Sequence, residues 1–358
     1  MKVALFRDLP TERWWSMERY ADELTTALRQ IGCDVHPFAA ARPLPQLRGT
    51  ANALANYVWR SVVYPLAACS QQCEVNHIVD HSYAHLIHAL DARRTVVTCH
   101  DIAPLALDER GRGISRYLWD RSFRAMLRAE CIVADSAHTR AEILQHSDYP
   151  AERIHVAPLG VSPEFFEPLD VSDLRAQHHL ASQYVVLHVG SCAPRKNVAL
   201  ILRALAELRE LPIRFVQIGG RFGSDDATLI ESLGLSDLIT QITSVSETDL
   251  GRWYRAADVF VLPSLYEGFG LPVLEAMASG TPVICANATS LPEVAGDAAL
   301  LIDPHDSHAL SSALRLVLTD PARAADLRQR GFERARMFTW ERTARETLAV
   351  YERVESEC

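Results

Sequence analysis

The stretch LYEGFGLPVLEAMASG, residues 265–280, carries two glutamates, eight positions apart, in an otherwise apolar segment. The apolar run before it, DVFVLPS (258–264), predicts a strand that leads into a turn containing Gly268 and Gly270. Pro272 then stands in the first turn of a predicted helix, where its missing N–H is tolerated, and the glycine that closes the stretch predicts the end of that helix. The stretch therefore predicts a strand, a turn and a helix in succession.

The start of this predicted helix favours a phosphate-bearing ligand. Its free N–H groups and the positive end of its dipole attract an anion, and the glycines before it let the ligand approach the backbone. Glu275 lies about one turn into the helix, where its carboxylate can accept hydrogen bonds from sugar hydroxyls, and Glu267 on the turn can face the ligand. Taken singly, Glu267 is as well explained as a solvated loop residue, and Glu275 as an acid that complements the dipole.

A second stretch, VLHVGSCAPRKNVAL (186–200), has matching features. A strand is predicted to end at Gly190, and Arg195 and Lys196 then open a predicted helix. The dipole disfavours cations at a helix start, so two adjacent cations there indicate an anion between them. An ordinary surface pair is the alternative for this feature alone.

Short apolar runs alternate with amphipathic runs of helix length along most of the chain, which predicts parallel sheets covered by helices. The chain has 358 residues, 48% of them hydrophobic, and is too long for one compact core of ordinary size. We therefore expect two doubly wound domains joined near residue 165, with ligands bound at the carboxyl ends of their strands. The predicted strands are 2–6, 76–81, 94–99, 131–136, a last one within 154–168, and then 184–190, 213–219, 238–242, 258–264, 281–286 and 299–303.

The net charge of −9 is unevenly distributed: residues 1–165 hold 18 Lys and Arg against 19 Asp and Glu, and residues 166–358 hold 18 against 26. This balance disfavours nucleic acid as a partner, because such binding draws on excess basic charge. The eight cysteines are scattered, without a C-x-x-C pair or metal-ligand spacing, so we expect small core residues in a reducing compartment. No apolar run approaches the roughly 20 residues that span a bilayer, and the first 15 residues lack the regions of a signal peptide. We expect a cytoplasmic protein.

The segment Arg110–Arg128 is the basic exception, with six arginines and one acid, Asp120, interleaved with apolar residues. As a helix it would turn Leu118 and Met126 inward and project its arginines, giving a basic amphipathic face. Such a face suits an anionic membrane or a diphosphate-linked lipid acceptor, which would place the protein peripherally at the inner face of the membrane. An ordinary solvated helix face is the alternative.

Two stretches, VGSCAPRKN (189–197) and the long segment from SETDLGRWYRAADVFVLPS to AALLIDP (246–304), resemble the donor domain of family 4 glycosyltransferases, which are retaining enzymes of the GT-B fold. The resemblance includes the E-x(7)-E motif at Glu267 and Glu275 and is dense over residues 185–304. Neither a GxGxxG fingerprint nor a Walker loop is present in the sequence, which disfavours a dinucleotide oxidoreductase.

Two further segments resemble the same family more loosely, VVTCHDIAPL (96–105) and HVAPLGVSPEFF (155–166). The resemblance implies two Rossmann-like domains that face each other across a crevice. Residues 1–165 would bind the acceptor and residues 175–338 the nucleotide-sugar donor, and a last helix over 339–358 would cross back onto the first domain.

The resemblance also implies roles for the charged residues of both stretches. Lys196 and Arg195 resemble the pair that binds the donor diphosphate. Glu275 resembles the glutamate that binds the ribose, and Glu267 resembles the catalytic glutamate at the donor sugar.

The remaining implied contacts are with backbone and with the other domain. The backbone of Phe269, Gly270 and Leu271 would lie against sugar and phosphate, and the loop around Val245 would meet the base. His100 resembles the first-domain histidine that reaches the donor sugar. The family's glycine pair after the first strand is replaced by Trp15-Ser16, which disfavours a close backbone contact there and leaves Trp14 or Trp15 to pack on the acceptor.

The implied reaction is a metal-independent, retaining transfer of a hexose-type sugar from a UDP- or GDP-sugar to an acceptor hydroxyl, in the synthesis of a glycan, polysaccharide or glycolipid. No cofactor is expected beyond the donor substrate. The alternatives within the fold are a phosphorylase and a sugar-nucleotide epimerase. From another class, the chain could be a catalytically inactive nucleotide-sugar-binding protein, which the joint presence of Glu267, Glu275 and Lys196 disfavours.

Overall fold

The computed structural model describes residues 1–10, 15–40, 55–108 and 113–357. The chain divides into two compact units. Unit 1 comprises Met1–Gly160 and Trp340–Cys358, and unit 2 comprises Val161–Thr339. Each unit is built around one six-stranded sheet in which every strand pair is parallel.

The sheet of unit 1 has the order β2-β1-β3-β4-β5-β6. Its strands are β1 (Lys2–Phe6), β2 (Asp34–Phe38), β3 (Val75–Ile78), β4 (Thr95–Cys99), β5 (Cys131–Ala134) and β6 (Ile154–Val156). Its helices are α1 (Trp15–Gln30), α2 (Tyr64–Cys69), α3 (Ala103–Ala106), α4 (Ile114–Met126), α5 (Ala137–Gln145) and α14 (Trp340–Ser356). A π-helical turn, Trp59–Val63, precedes α2, and we call the whole helical segment over 55–69 the 55–69 helix.

The sheet of unit 2 has the order β12-β11-β10-β7-β8-β9. Its strands are β7 (Tyr184–Val189), β8 (Ile213–Ile218), β9 (Ile239–Ile242), β10 (Val259–Leu262), β11 (Val283–Ala286) and β12 (Ala299–Ile302). Its helices are α6 (Ser172–Gln177), α7 (Val198–Ala206), α8 (Ser224–Ser232), α9 (Glu247–Ala256), α10 (Leu271–Ala278), α11 (Leu291–Ala295), α12 (Ser307–Thr319) and α13 (Pro321–Ala335). The order reverses between β7 and β10, and ligands of doubly wound sheets bind at such a reversal.

The predicted α/β class with two doubly wound sheets is confirmed, and the strands lie where the apolar runs predict them, with ends shifted by a few residues. The edge strand β2, DVHPF, is the exception, because the sequence pattern did not predict it. Pro37 cannot donate to a ladder, so a proline in a short polar run normally argues against a strand, yet an edge position tolerates it. The sequence pattern also predicts a helix over 50–68, of which residues 50–54 lie outside the described residues.

Buried nonpolar side chains pack around both sheets. Val259, Phe260, Val261 and Leu262 of β10 are all fully buried, as expected for a strand covered by helices on both faces. Within the described ranges, every helix is too short or too polar to cross a membrane.

A buried polar chain ties helix α14 to the sheet of unit 1. His77 on β3 places Nδ1 2.6 Å from the Tyr351 hydroxyl of α14 and Nε2 2.7 Å from the Thr98 hydroxyl of β4. Thr98 in turn lies 3.0 Å from the Tyr20 hydroxyl of α1. Burial lowers the pKa of His77 to about 3, so the ring is neutral and both of its nitrogens are used by protein partners.

We predict that His77→Gln makes the free energy of unfolding less dependent on pH. The folded protein keeps His77 neutral down to about pH 3, whereas the unfolded chain binds a proton near the ordinary histidine pKa of 6.5. Since the unfolded state then holds more protons, the free energy of unfolding decreases as the pH is lowered. For this residue the decrease from pH 7 to pH 5 is about 2 kcal/mol. Urea titrations monitored by tryptophan fluorescence at both pH values measure the difference.

The variant should also be less stable at pH 7, because its amide reproduces the hydrogen bonds of the imidazole only in part. The matched control is His146→Gln, at the exposed C-terminal end of α5. The stability of this variant should depend on pH as that of the parent protein does. A variant at position 77 with the full pH dependence of the parent would contradict the prediction.

Candidate active site

Two loops at the reversal of the unit 2 sheet are bonded to each other, residues 190–197 after β7 and residues 263–270 after β10. The Leu265 N–H donates to the Arg195 carbonyl at 2.8 Å. The Asn197 side-chain amide donates to the Pro263 carbonyl at 3.1 Å. Asn197 adopts the left-handed conformation, φ 57°, that asparagine tolerates better than most residues, and α7 begins directly after it. The two sequence stretches that predicted a phosphate-binding site are therefore one structural unit.

The centre of this unit is a buried ion pair between Lys196 and Glu267. Lys196 Nζ donates to Glu267 Oε1 at 2.6 Å, and the Ser264 hydroxyl donates to the same oxygen at 2.7 Å. Arg195 Nη1 lies 3.6 Å from Glu267 Oε2. Lys196 is 9% exposed and Glu267 7%. One carboxylate thus holds two cations in place at the edge of the sheet.

The electrostatics of the pair keep Glu267 ionised. Burial raises the pKa of Glu267, but Lys196 acts on it both as a charge and as a hydrogen-bond donor and holds the pKa below its ordinary value. Lysine is rare in this chain, since of its 36 Lys and Arg only Lys2 and Lys196 are lysines. A compact ammonium fits a small buried pair with one carboxylate oxygen better than the wider guanidinium of arginine.

The backbone around Glu267 is fixed by hydroxyl groups from the loop before α11. The Glu267 N–H donates to the Thr289 hydroxyl at 3.1 Å. The Ser290 hydroxyl lies within hydrogen-bonding distance of two carbonyls, those of Glu267 at 2.9 Å and of Phe269 at 2.8 Å. The Phe269 ring packs edge-on against Phe338, with centroids 6.0 Å apart. The turn is therefore held in place by contacts within unit 2.

Gly270 forms the passage from this turn into α10. Its φ of 106° is a conformation that side chains rarely adopt, and a Cβ there would lie 2.6 Å from Leu291 Cδ2. Leu271 begins the helix, and the N-cap residue Gly270 provides no side-chain hydrogen bond to the first turn. The helix start therefore carries the positive end of the dipole, and the binding of an anion there stays a prediction.

Glu275 lies inside α10 and is buried, only 4% exposed. The Tyr254 hydroxyl of α9 donates to Glu275 Oε2 at 2.8 Å, and the Tyr254 carbonyl accepts from the Thr281 hydroxyl at 2.6 Å. Glu275 is the fifth residue of α10 and lies beyond its first turn, whereas it is Glu267 whose burial excludes the alternative of a solvated loop residue. Tyr254 is a positioning residue that the sequence motif did not reveal, because it comes from a different helix.

The floor of the site is made by glycines from two loops. A Cβ on Gly220, after β8, would lie 2.7 Å from the Cys192 backbone nitrogen, so only glycine fits between these loops. Below them Gln217 Oε1 accepts from His188 Nδ1 at 2.6 Å, and Gln217 Nε2 donates to the Gly190 carbonyl at 2.8 Å. Burial lowers the pKa of His188 to about 4, so its ring is neutral. The sequence analysis did not single out Gly220, whose importance is visible only from the neighbouring loop.

The two remaining predicted site residues are Val245 and His100. Val245 is half-buried on the loop between β9 and α9. His100 lies in unit 1, after β4, where Nδ1 is 2.7 Å from Asp135 Oδ2 and Nε2 is 2.8 Å from the Val79 carbonyl. The Tyr20 ring packs edge-on against it, with centroids 4.7 Å apart. Both ring nitrogens of His100 are thus engaged within unit 1.

The protonation state of His100 follows from its neighbours. Burial lowers its pKa, but the carboxylates of Asp135 and Asp80 outweigh burial and raise the pKa to about 9. A doubly protonated ring can donate to the Asp135 carboxylate and to the Val79 carbonyl at once. The contact of His100 with a donor sugar stays a prediction, and Asp135 is a partner that the sequence analysis missed.

Comparison with known proteins places both units in one family. A sequence profile described as "Glycosyl transferases group 1" matches residues 170–334, and one described as "Glycosyltransferase Family 4" matches residues 17–165. O-antigen chain mannosyltransferase B of Escherichia coli is 36% identical over 275 residues, which are 75% of this chain and 72% of that protein. MMP alpha-(1->4)-mannosyltransferase of Mycolicibacterium hassiacum is 34% identical over 61% of this chain and 53% of its own length.

Solved structures share the architecture. Sucrose-phosphate synthase from Thermosynechococcus elongatus superposes with a TM-score of 0.83 at 23% identity, covering 100% of both chains. The Anabaena protein HepE in complex with UDP and glucose gives a TM-score of 0.75 at 21% identity, covering 97% of this chain and 98% of its own. At these identities the likeness concerns the fold.

We predict that Gly270→Ala destabilises unit 2 and weakens ligand binding at the helix start. The side chain would be strained at φ 106° and would press against Leu291, a cost of about 1–3 kcal/mol. Thermal unfolding of the variant with and without a nucleoside diphosphate measures both effects. Gly223→Ala is the control, because that residue has φ −72° and a Cβ there would meet nothing within 4 Å. Equal melting temperatures of the two variants would show that the turn relaxes without cost.

Proposed function

This chain belongs to the glycosyl transferases of group 1, and we propose that it transfers a mannosyl group from a UDP- or GDP-sugar to an acceptor hydroxyl in the synthesis of a glycan. The observation that carries the proposal is the pair of cations, Arg195 and Lys196, held on Glu267 beside the uncapped start of α10. The choice of mannose rests on the names of the relatives, among them the mannosyltransferases of Escherichia coli and Mycolicibacterium hassiacum.

The leaving group explains why this geometry suits the reaction. When the bond between sugar and diphosphate breaks, negative charge builds on the diphosphate. Lys196, Arg195 and the N–H groups at the start of α10 would stabilise that charge, and they are in position before the ligand arrives, so little reorganisation is needed. Glu267 holds both cations and would share them with the diphosphate when the donor binds.

The proposal assigns the nucleoside to the neighbouring part of unit 2. Glu275, fixed by Tyr254, would accept hydrogen bonds from the ribose hydroxyls, and the loop around Val245 would meet the base. The proposal also includes retention of the anomeric configuration and no cofactor or metal, because the cations of the site themselves supply the positive charge that the leaving group needs. Product analysis by NMR, with and without a chelator, tests both parts.

We predict that Lys196→Ala and Glu267→Ala impair transfer by different routes. Loss of Lys196 removes a positive charge from the leaving diphosphate, which should raise the barrier by about 3 kcal/mol, roughly a hundredfold in rate, and weaken donor binding. Loss of Glu267 leaves both cations for the nucleotide, so binding should be retained while turnover falls. The measurement is the release of UDP or GDP from UDP- and GDP-mannose, with and without acceptor glycans, together with nucleotide titrations.

Lys196→Arg is an informative companion, because it keeps the charge but not the compact shape, and it should recover binding more than turnover. Arg203→Gln on the exposed side of α7 is the charge-matched control. Parental rates in both alanine variants would contradict the site. A phosphorylase would require inorganic phosphate for activity, an epimerase would convert the donor without releasing nucleotide, and an inactive binding protein would only bind.

We further propose that unit 1 contacts an anionic membrane surface. The side chains of Arg116 and Arg124 in α4, and of Arg128 just after it, are exposed. Of the two residues predicted to turn inward, Met126 is buried and Leu118 is half-buried. Arg110 and Arg112 lie outside the described residues. The 55–69 helix adds exposed nonpolar side chains, Tyr57, Val58, Val62 and Leu66. Basic and nonpolar side chains together suit the headgroup region of an anionic bilayer.

We predict that the protein floats with anionic liposomes at low salt and less with neutral ones. Replacing Arg116, Arg124 and Arg128 by glutamine should abolish most of this flotation, because each basic residue contributes about 1 kcal/mol near an anionic leaflet. The triple variant with glutamine at Arg203, Arg209 and Arg328, all exposed in unit 2, is the charge-matched control. If both triple variants float like the parent protein, the arginines of α4 are ordinary surface residues.

A further inference from the structure

Unit 1 contains a cavity of about 490 Å³ between the 55–69 helix and α4. This volume lies in the range of small-molecule sites. The wall on one side comes from Tyr57 and Arg60 and on the other from Trp119 and Arg121, and His81 borders the cavity next to the sheet. None of the donor-site residues belongs to it.

The cavity adjoins the place where the order of the unit 1 sheet reverses, between β1 and β3. His81 follows β3, and Asp8, which follows β1, is buried. Burial, followed by the charge of Asp80, raises the pKa of Asp8 to about 8. The carboxyl ends of strands at such a reversal are where doubly wound sheets bind ligands. The position of the cavity is therefore that of a ligand site.

The lining of the cavity is aromatic and rich in hydrogen-bond donors. The Trp119 ring is stacked on Phe123, with centroids 5.2 Å apart and planes 13° apart, so its orientation is fixed. Arg60 donates to the Ser82 carbonyl at 2.7 Å and lies 4.0 Å from the centre of the Tyr83 ring. The described lining includes no carboxylate. A flat ring beside fixed polar groups suits a sugar, which has nonpolar ring faces and hydroxyl edges.

Arg121 gives the cavity its charge preference. The side chain is half-buried, and no hydrogen bond or ion pair joins it to another residue in the described part of the chain. A partly buried cation without a counter-ion costs free energy, which an anionic ligand would recover.

Arg121 also lines a second cavity, of about 240 Å³, together with Tyr117, Arg124 and Arg128. Arg128 Nη1 lies 2.8 Å from His88 Nδ1. Burial lowers the pKa of His88, as do Arg128 and Arg121, so the ring is neutral and can accept from the guanidinium. The one acid in this lining, Asp120, lies 4.0 Å from Arg116 on the same helix. Three arginines thus line a space large enough for a phosphate.

We propose that the two cavities form one acceptor site for a glycosyl phosphate, with the sugar on Trp119 in the larger cavity and the phosphate between Arg121, Arg124 and Arg128 in the smaller one. Arg121 borders both parts and marks their junction. The proposal rests on the glycosyltransferase function proposed above and names the class of acceptor for it.

Calorimetric titration of the full chain tests the site with defined probes. Mannose 1-phosphate should bind, and methyl mannoside and inorganic phosphate should each bind more weakly, because each fills half of the site. Arg121→Gln should weaken mannose 1-phosphate about tenfold or more, since a hydrogen bond to a charged group is lost. Arg94→Gln is the control, because Arg94 is about half exposed and lies 3.9 Å from Asp91, away from both cavities. Trp119→Ala should weaken mannose 1-phosphate and leave phosphate binding unchanged, with thermal unfolding as the check on folding.

The dodecyl ester of mannose 1-phosphate in nonionic micelles distinguishes the source of the acceptor. Tighter binding of the ester than of free mannose 1-phosphate would identify a lipid-linked acceptor. Equal binding of the two compounds would identify a soluble acceptor, and either result supports the site. Equal affinity of the parent and Arg121→Gln for mannose 1-phosphate, or equal affinity of the parent for mannose 1-phosphate and inorganic phosphate, would overturn it. Neither titration requires turnover, so an absence of nucleotide release from the donor would contradict the proposed function without affecting the acceptor site.

Discussion

The buried pair of Lys196 and Glu267 is the interaction on which the candidate active site depends. A buried carboxylate without partners is costly, and here Lys196 and the Ser264 hydroxyl reach the same oxygen while Arg195 approaches the other. The pair joins the loop after β7 to the loop after β10, so it both neutralises the charges and fixes the edge of the sheet. If the site binds a diphosphate, as proposed, Glu267 would keep both cations in place until the ligand binds.

The architecture of the sheet explains why these two loops meet. In a parallel sheet every strand delivers its following loop to the same edge, and β7 and β10 are neighbours although about 70 residues separate them. The segments at this edge are packed closely. A Cβ on Gly220 would meet the backbone of Cys192, and a Cβ on Gly270 would meet the side chain of Leu291. Charge, backbone amides and close packing therefore coincide at one edge of unit 2.

Unit 1 uses the same topology for different chemistry. Its carboxyl-terminal edge gathers buried histidines and acids, among which His100 is paired with Asp135. Next to this edge, α4 and the 55–69 helix form a cavity with aromatic and basic walls. The assignment of the donor to one unit and the acceptor to the other, which the sequence resemblance implies, stays a prediction.

The sequence by itself determined the α/β class, nearly all of the strands and the segments that carry the candidate donor site. Apolar runs buried on both faces and glycines before helix starts are local signals, so the segment from β10 through α10 could be predicted from its residues alone. The sequence did not predict β2, because Pro37 and alternating polar residues are tolerated there only through the edge position. Tyr254, Ser264, Ser290 and Asp135 were also missed as positioning residues.

Only the tertiary structure decided what these side chains contact. In the sequence Glu275 is equally well explained as an acid that complements the helix dipole, and in the fold it is buried against Tyr254. Arg121 is one of six arginines in its segment, and only the packing of α4 beside the 55–69 helix makes it half-buried and shared by two cavities. The physical reason is common to both cases. Periodicity and turn residues act over a few positions of the chain, whereas the partner of a buried polar group comes from whichever element the topology brings beside it.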